Sequence, residues 1–156
     1  MLSATPHPDS VRGMTLIELA IALVLVAILA SLAVPGWQNQ VQRTRRSDAI
    51  TALAQLQQAQ ERWRSQRPAY AASLGQDGLA LSAVSPAGHY DLSTAVSPDT
   101  AHQRYLVTAV ARGPQADDRL CRWLVLEIDA GQLHHRSGPD EQTGNLDAQN
   151  RLCWKS

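Results

Sequence analysis

The chain is short, carries no net charge and is poor in aromatic residues. Its 156 residues leave room for one domain and an appendage, and 14 basic against 14 acidic side chains point to no particular partner. Phenylalanine is absent, so the core depends on Leu, Val, Ala and four Trp, and a covalent crosslink would help so modest a core. The charge is unevenly placed, because residues 38–67 are basic and residues 68–156 are mildly acidic.

An apolar segment follows a polar leader at the N-terminus. It covers residues 14–34, and a helix of that length would span about 30 Å, the thickness of the hydrocarbon layer of a bilayer. The leader comprises residues 1–13. Three interpretations are open: an ordinary signal peptide cut after Ala33, a permanent membrane anchor, or an anchor whose leader alone is removed.

Glu18 distinguishes these interpretations, because it places a carboxylate inside the apolar segment. Burying a carboxylate in lipid costs about 2.5–3.5 kcal/mol on insertion scales, and a signal peptide gains nothing from it. Cleavage after Gly13 would give Met14 a free amino group one helical turn from Glu18. Pairing of that amine with Glu18, within one subunit or between two, would select the register in which subunits dock.

The sequence Gly-Met-Thr-Leu-Ile-Glu at residues 13–18 resembles the processing site of type IV prepilins and pseudopilins. The resemblance implies that a prepilin peptidase cuts between Gly13 and Met14 and N-methylates Met14, although the family usually has Phe at that position. Pro35 matches the proline that follows the apolar segment in the family. The resemblance also implies assembly through the N-terminal helix, in which Glu18 and Pro35 take part.

The flanking charges argue for the opposite orientation in the membrane. The leader carries only Arg12, whereas Arg43, Arg45 and Arg46 follow the apolar segment, and positive charge usually stays cytoplasmic. The processing motif and the cysteines favour a head outside the cytoplasm instead. For the three arginines we consider a solvated helix face, contact with anionic lipid headgroups, or contact with acidic patches of neighbouring subunits.

A second helical segment is predicted after Pro35-Gly36. This dipeptide should break or kink the helix, and the resemblance implies a bend or a melted stretch there. Residues 38–64 then show helical periodicity, and a core-facing stripe is predicted at Ile50, Leu53, Leu56, Ala59 and Trp63. Residues 68–88 are rich in Ala, Ser, Gly and Pro, which predicts a long loop.

Four strands are predicted in the rest of the chain, at residues 89–93, 104–111, 122–128 and 132–136. A tight turn at residues 129–131 joins the last two strands. Alternation in the third strand predicts that Leu124, Leu126 and Ile128 face the helix and that Trp123, Val125 and Glu127 point outward. The element order predicts an α+β fold, with a long N-terminal helix packed on an antiparallel sheet of about four strands.

Cys121 and Cys153 enclose a loop whose closure would contribute roughly 3–4 kcal/mol. Disulfides persist in oxidising compartments, and two unpaired buried thiols are the alternative. A strand that starts at Cys121, the turn after it and a terminal Cys153-Trp154 are similar to PilE-type pilins. That resemblance implies a disulfide that ties the C-terminal segment back to the sheet.

No catalytic or cofactor-binding motif stands out. His134 and His135 are adjacent and would face opposite ways on a strand, and nothing positions them with Ser137 and Asp140 as a triad. We therefore expect a non-enzymatic protein without a cofactor. Weak calcium candidates are the oxygen ligands Asp140, Glu141, Asn145 and Asp147, which do not have EF-hand spacing.

Nucleic acid is a further candidate partner, since some pilins of this superfamily bind DNA for uptake. The acidic head argues against a large electrostatic footprint. A local cluster could still form from Arg119, Arg122, Arg136, Arg151 and Lys155.

Together these features predict a structural subunit of a type IV pilus, of the minor kind, that supports pilus biogenesis, adhesion or twitching motility. We expect a leader at 1–13, an anchor and filament-core helix at 14–35, an amphipathic helix at 36–67 and a head at 68–156. Its partners would be other pilin subunits, the prepilin peptidase and the inner membrane, with the head in the periplasm before export to the pilus. Alternatives are a type II secretion pseudopilin, a DNA-uptake pilin, or an exported binding domain with an ordinary signal peptide.

Overall fold

The computed structural model describes residues 14–142, 144 and 146–155. The chain divides between Gln38 and Asn39 into two compact units. The elements are α1 (Leu16–Arg64), β1 (Tyr90–Ala95), β2 (Arg104–Ala111), β3 (Trp123–Asp129), β4 (Gln132–Gly138) and α2 (Asp147–Trp154). Two short 3-10 helices lie at Pro98–Thr100 and Gly113–Asp117. A long helix followed by a four-stranded antiparallel sheet confirms the predicted α+β class.

Helix α1 begins with a capping interaction at Thr15. The Glu18 backbone N–H donates to Thr15 Oγ1 at 3.3 Å, and the Leu19 N–H donates to the Thr15 carbonyl at 3.1 Å. Thr followed three residues later by Glu is a capping-box pattern, which satisfies backbone donors that the first turn leaves without partners. The Leu and Ala residues that follow are strong helix formers, so the helix propagates from this start.

Helix α1 continues without interruption through Pro35 and Gly36 to Arg64. The predicted melted stretch at this dipeptide is therefore wrong. Proline removes one backbone donor, and the hydrogen bonds of the turns on either side are enough to keep the backbone helical. A bend at Pro35 stays a prediction.

The sheet has the order β1-β2-β3-β4 with every neighbouring pair antiparallel. Strands β3 and β4 are joined by a two-residue turn, because Asp129 pairs with Gln132. Ala130 and Gly131 in this turn have φ of 48° and 80°, the left-handed geometry that matches the twist of a hairpin. The turn confirms the sequence prediction, and β1 and β4 extend two residues beyond their predicted ends.

The core lies between the second half of α1 and one face of the sheet. Leu53 and Leu56 from α1 are buried in the same cluster as Leu124, Leu126 and Ile128 from β3. The prediction for β3 is thus confirmed on its helix-facing side.

Two members of the predicted α1 stripe, Ile50 and Trp63, are only half-buried. Ala49 and Ala52 occupy the buried positions instead, at 0% and 2% exposed. Small side chains at these positions let the helix pack close to the sheet. The buried face of α1 is therefore shifted from the predicted stripe toward Ala49 and Ala52.

The outer face of β3 is covered as well, although it does not face the helix. Val125 and Glu127 are only 5% and 7% exposed. Arg136 from β4 pairs with Glu127 Oε2 at 2.8 Å, and Arg104 from β2 donates from Nε to Glu127 Oε1 at 2.7 Å. The long arginine side chains lie across the strand and shield it, which alternation alone did not predict.

The long connection between α1 and β1 is fastened by polar side chains of α1. Gln60 exchanges two hydrogen bonds with the backbone of Ala71, at 2.8 and 2.9 Å. The Asp48 carboxylate accepts from Ser85 Oγ at 2.6 Å and from the Ala87 N–H at 3.0 Å. These contacts give the loop an ordered path although it contains little secondary structure of its own.

Candidate assembly helix and head surface

The apolar part of α1 is exposed along its whole described length. Leu16 is 88% exposed, Ile17 70% and Leu29 67%. In the part of the chain that the structure describes, this is one helix long and apolar enough to cross a membrane, judged by length and composition. So large an apolar surface needs a covering of lipid or of other helices.

Glu18 lies exposed in the first turn of α1. Its backbone N–H is held by Thr15 Oγ1, and an acidic side chain in a first turn interacts favourably with the helix dipole. The motif therefore has a local structural use as well, which the spacing Thr-x-x-Glu in the sequence could have revealed. Gly13, on the other side of the predicted cleavage site, lies outside the described residues, and the side chain of Pro35 is not described either.

Arg46 does not belong to a solvated basic face. Its side chain is 8% exposed and is paired with Asp118, which is 2% exposed, through contacts of 2.6 Å from Nε and 2.9 Å from Nη2. The third nitrogen, Nη1, donates to the Leu152 carbonyl at 3.2 Å. Arg46 thus fastens α1 to the connection before β3 and to α2, and only Arg43 of the three arginines is fully exposed.

A polar network extends from this ion pair. The buried Gln115 amide donates to Asp118 Oδ2 at 3.1 Å and to Tyr90 Oη at 3.0 Å. Burial raises the pKa of Tyr90 to about 12, so its hydroxyl stays protonated at neutral pH. The Cys121 N–H donates to the other oxygen of Asp118 at 3.4 Å, which brings the network up to the disulfide.

The disulfide joins Cys121 to Cys153, with their Cα atoms 5.4 Å apart, and confirms the predicted pairing. It holds α2 beside β4 together with polar contacts. Ser137 Oγ donates to Asn150 Oδ1 at 2.8 Å, and the His135 ring packs on Trp154 at 4.2 Å between centroids. Burial lowers the pKa of His135.

The same disulfide joins two segments of the head that carry exposed cations. Each half-cystine is flanked within two residues by basic side chains, and all four of them are exposed: Arg119, Arg122, Arg151 and Lys155. No ion pair of these four is found among the described residues. We call these residues the disulfide basic cluster. The exposed carboxylates closest to it in sequence are Asp117 and Asp147, so the cluster keeps an excess of positive charge.

Arg136 is the exception among the five cations that the sequence suggested for nucleic acid. It is half-buried and paired with Glu127 on the outer face of the sheet. Its guanidinium is therefore engaged within the head, although it shares the Glu127 carboxylate with Arg104.

The remaining candidates from the sequence do not assemble into a chemical site. Ser137 and His135 serve the docking of α2, and Asp140 accepts from the Gln142 N–H at 3.0 Å. Among the residues that the structure describes, no three His, Cys, Asp or Glu side chains are grouped to hold a metal ion. Of the calcium candidates, Asp140, Glu141 and Asp147 are exposed, and Asn145 lies outside the described residues.

Comparison with known proteins gives family matches to two consecutive parts of the chain. Residues 9–34 match the prokaryotic N-terminal methylation motif. Residues 35–125 match the family described as type IV minor pilin ComP, DNA uptake sequence receptor. A relative is the type IV major pilin protein PilA of Myxococcus xanthus (strain DK1622), 36% identical over 69 residues. That alignment covers 44% of this chain and only 31% of the relative.

Proposed function

The chain belongs to the type IV minor pilin family whose description names ComP, and we propose that it is a structural pilus subunit that assembles through the exposed apolar part of α1. The single observation that carries the proposal is this uncovered surface, which coincides with the methylation-motif match. Lipid would cover the helix before assembly, and neighbouring helices would cover it in the filament. The helix therefore exchanges one apolar surrounding for another, at little cost in hydrophobic free energy.

Processing prepares this exchange in our proposal. A prepilin peptidase cuts between Gly13 and Met14 and methylates the new amino group of Met14. Glu18 then forms an ion pair with that amine or with the amine of a neighbouring subunit, which stabilises one docking register over the others. The subunit starts as a single-pass protein of the bacterial inner membrane, with its disulfide-bonded head in the oxidising periplasm, and ends in an extracellular pilus that serves adhesion or twitching motility.

Mass spectrometry of the mature N-terminus tests the processing step. We expect a chain that begins with N-methyl-Met14. A mature chain that begins at Val34 would instead identify an ordinary signal peptide and would end the assembly proposal.

Two matched variants separate the charge of Glu18 from its place in the capping box. Glu18→Gln removes the charge but keeps a side chain that suits the capping position, whereas Thr15→Ala removes the cap and keeps the charge. We expect Glu18→Gln to be processed and to assemble poorly, and Thr15→Ala to assemble. The opposite pattern in a pilus-shearing assay would show that the helix start, and not the charge, is what assembly requires.

A second candidate function is contact with DNA, which the description of the matched family and the disulfide basic cluster both favour. Four exposed cations on the two segments that the disulfide joins can neutralise phosphates even though the head as a whole is acidic. We propose that this cluster contacts duplex DNA at the pilus surface.

Binding of the full chain to a duplex oligonucleotide at several salt concentrations tests the DNA proposal. Each phosphate contact contributes about 0.9 to the slope of log affinity against log salt. Changing Arg119 and Arg151 to Gln should weaken binding and reduce the slope by about 2, because two contacts are removed. In the control variant, Arg62 and Arg67, which are exposed but lie outside the disulfide basic cluster, are changed to Gln. The slope of log affinity against log salt should then be unchanged. An equal loss in both variants would refute a localised site.

A further inference from the structure

A cleft of about 430 Å³ lies where α1 passes the C-terminal end of α2. It belongs entirely to the second unit of the chain. Its lining residues are Gln40, Arg43, Thr44, Ser47 and Lys155. No acidic side chain is among them, so the cleft presents two cations and three neutral polar groups.

The two cations are the free donors of the cleft. Thr44 Oγ1 donates to the Gln40 carbonyl at 3.1 Å, and Ser47 Oγ donates to the Thr44 carbonyl at 2.5 Å, so both hydroxyl protons are used within the helix. Arg43 and Lys155 are exposed and have no ion pair among the described residues. Two like charges that share one concave space repel each other, and an anion bound between them relieves the repulsion.

The chemistry of the two donors favours a phosphoryl group. Arginine binds phosphate oxygens with a planar fork of donors, and lysine binds them as a compact charge. The Gln40 amide is a further, neutral donor in the lining of the cleft. A phosphodiester is small enough for a space of this volume.

The position of the cleft in the chain indicates where that phosphoryl group comes from. In the sequence, Arg43 follows Val34, the last apolar residue of the segment, by only nine residues. Trp37 lies between them and is 73% exposed, as is typical of an aromatic residue at a membrane interface. An arginine this soon after an apolar segment is of the kind that snorkels to lipid headgroups.

We propose that this cleft binds the phosphodiester headgroup of an anionic phospholipid while the subunit resides in the membrane. The lipid neutralises Arg43 and Lys155 beside the bilayer and is released when the helix enters a filament. This assigns Arg43 to one of the three roles that the sequence left open, contact with lipid headgroups. Of the proposed function, this inference requires only that the apolar part of α1 spans a membrane.

A titration with short-chain lipids tests the proposal without requiring processing or assembly. The full chain in zwitterionic detergent is titrated with dihexanoyl phosphatidylglycerol below its critical micelle concentration, followed by isothermal calorimetry. We expect saturable binding at one site and roughly tenfold weaker binding for the Arg43→Gln, Lys155→Gln double variant, since charged hydrogen bonds to the phosphate are lost. The control double variant Arg62→Gln, Arg67→Gln removes two exposed cations that line neither the cleft nor the disulfide basic cluster, and it should bind as the unaltered chain does.

Three further arms identify the source of the phosphoryl group. Dihexanoyl phosphatidylcholine should bind at least tenfold more weakly than phosphatidylglycerol, because its headgroup carries a compensating cation. Inorganic phosphate that binds as tightly as the lipid would overturn the lipid assignment. The proposal would be overturned if the Arg43→Gln, Lys155→Gln variant bound the lipid as the unaltered chain does. It would also be overturned if that variant lost binding to duplex DNA while its lipid binding stayed intact. The titration uses the unassembled chain. A chain that binds no lipid could therefore still be a pilin, and a chain that fails to assemble could still bind lipid.

Discussion

Breaking the buried pair between Arg46 and Asp118 should destabilise the head more than breaking any ion pair on its surface. Asp118→Asn keeps the size of the side chain but leaves the Arg46 guanidinium, which is 8% exposed, without a countercharge. Removing one partner of a buried pair costs about 3–5 kcal/mol, because the remaining charge is not solvated. That is a large part of the roughly 5–15 kcal/mol by which a domain is stable.

The chain supplies its own control for this prediction. Arg112 and Asp91 form a pair at 3.2 Å whose side chains are 46% and 58% exposed. Asp91→Asn should cost about 0–1 kcal/mol, because water screens both charges. The same change thus compares a buried ion pair and the hydrogen bonds around it with an exposed ion pair.

Urea unfolding of the full chain in detergent micelles, followed by near-ultraviolet circular dichroism of the head, measures both variants. We expect the free energy of unfolding to fall several times more in Asp118→Asn than in Asp91→Asn. Equal losses would refute the argument, since they would show that Arg46 reaches water in the native head.

Other predictions concern α2 and the hairpin turn. Changing Cys121 and Cys153 to Ser should lower the free energy of unfolding by roughly 3–4 kcal/mol in urea titrations, because the open chain gains loop entropy. The folded-state pKa of His135 lies below its ordinary value of 6.5, so the unfolded state binds the proton more readily and stability should fall as the pH drops below 6.5. His135→Gln should flatten that part of a plot of melting temperature against pH, and an unchanged slope would contradict the assignment. Gly131→Ala should cost about 1–2 kcal/mol in thermal unfolding, because φ is 80° there, and no loss would mean that the turn rearranges.

Much of the fold could be predicted because its signals are local. The apolar segment, the strand alternation and the turn at residues 129–131 each depend on neighbouring residues, and the structure confirms the strands and the turn. The cysteine pairing was predictable from resemblance and from the benefit of a crosslink to a small core, and it is present. The capping box at Thr15 was equally local and was missed.

Two of the differences from the sequence predictions concern interactions between residues far apart in the chain, and the third, at Pro35, is local. Arg46 and Asp118 are 72 positions apart, so the helix pattern alone made Arg46 look solvated. Glu127 looked exposed by alternation, yet it is covered by arginines from both neighbouring strands. Proline at position 35 lowers helix propensity, but the surrounding turns kept the helix continuous.

By itself, the sequence determined the class of this protein, because a processing motif, an apolar segment and a helix-then-strands order are all readable along the chain. Only the tertiary structure decided which charged side chains are paired within the head and which are exposed to bind a partner. It places Arg46 and Arg136 in ion pairs, and through the disulfide it joins the two segments that carry four exposed cations. The physical reason is that periodicity reports which face of an element is apolar, whereas the partner of a charge depends on which distant segments the fold brings together.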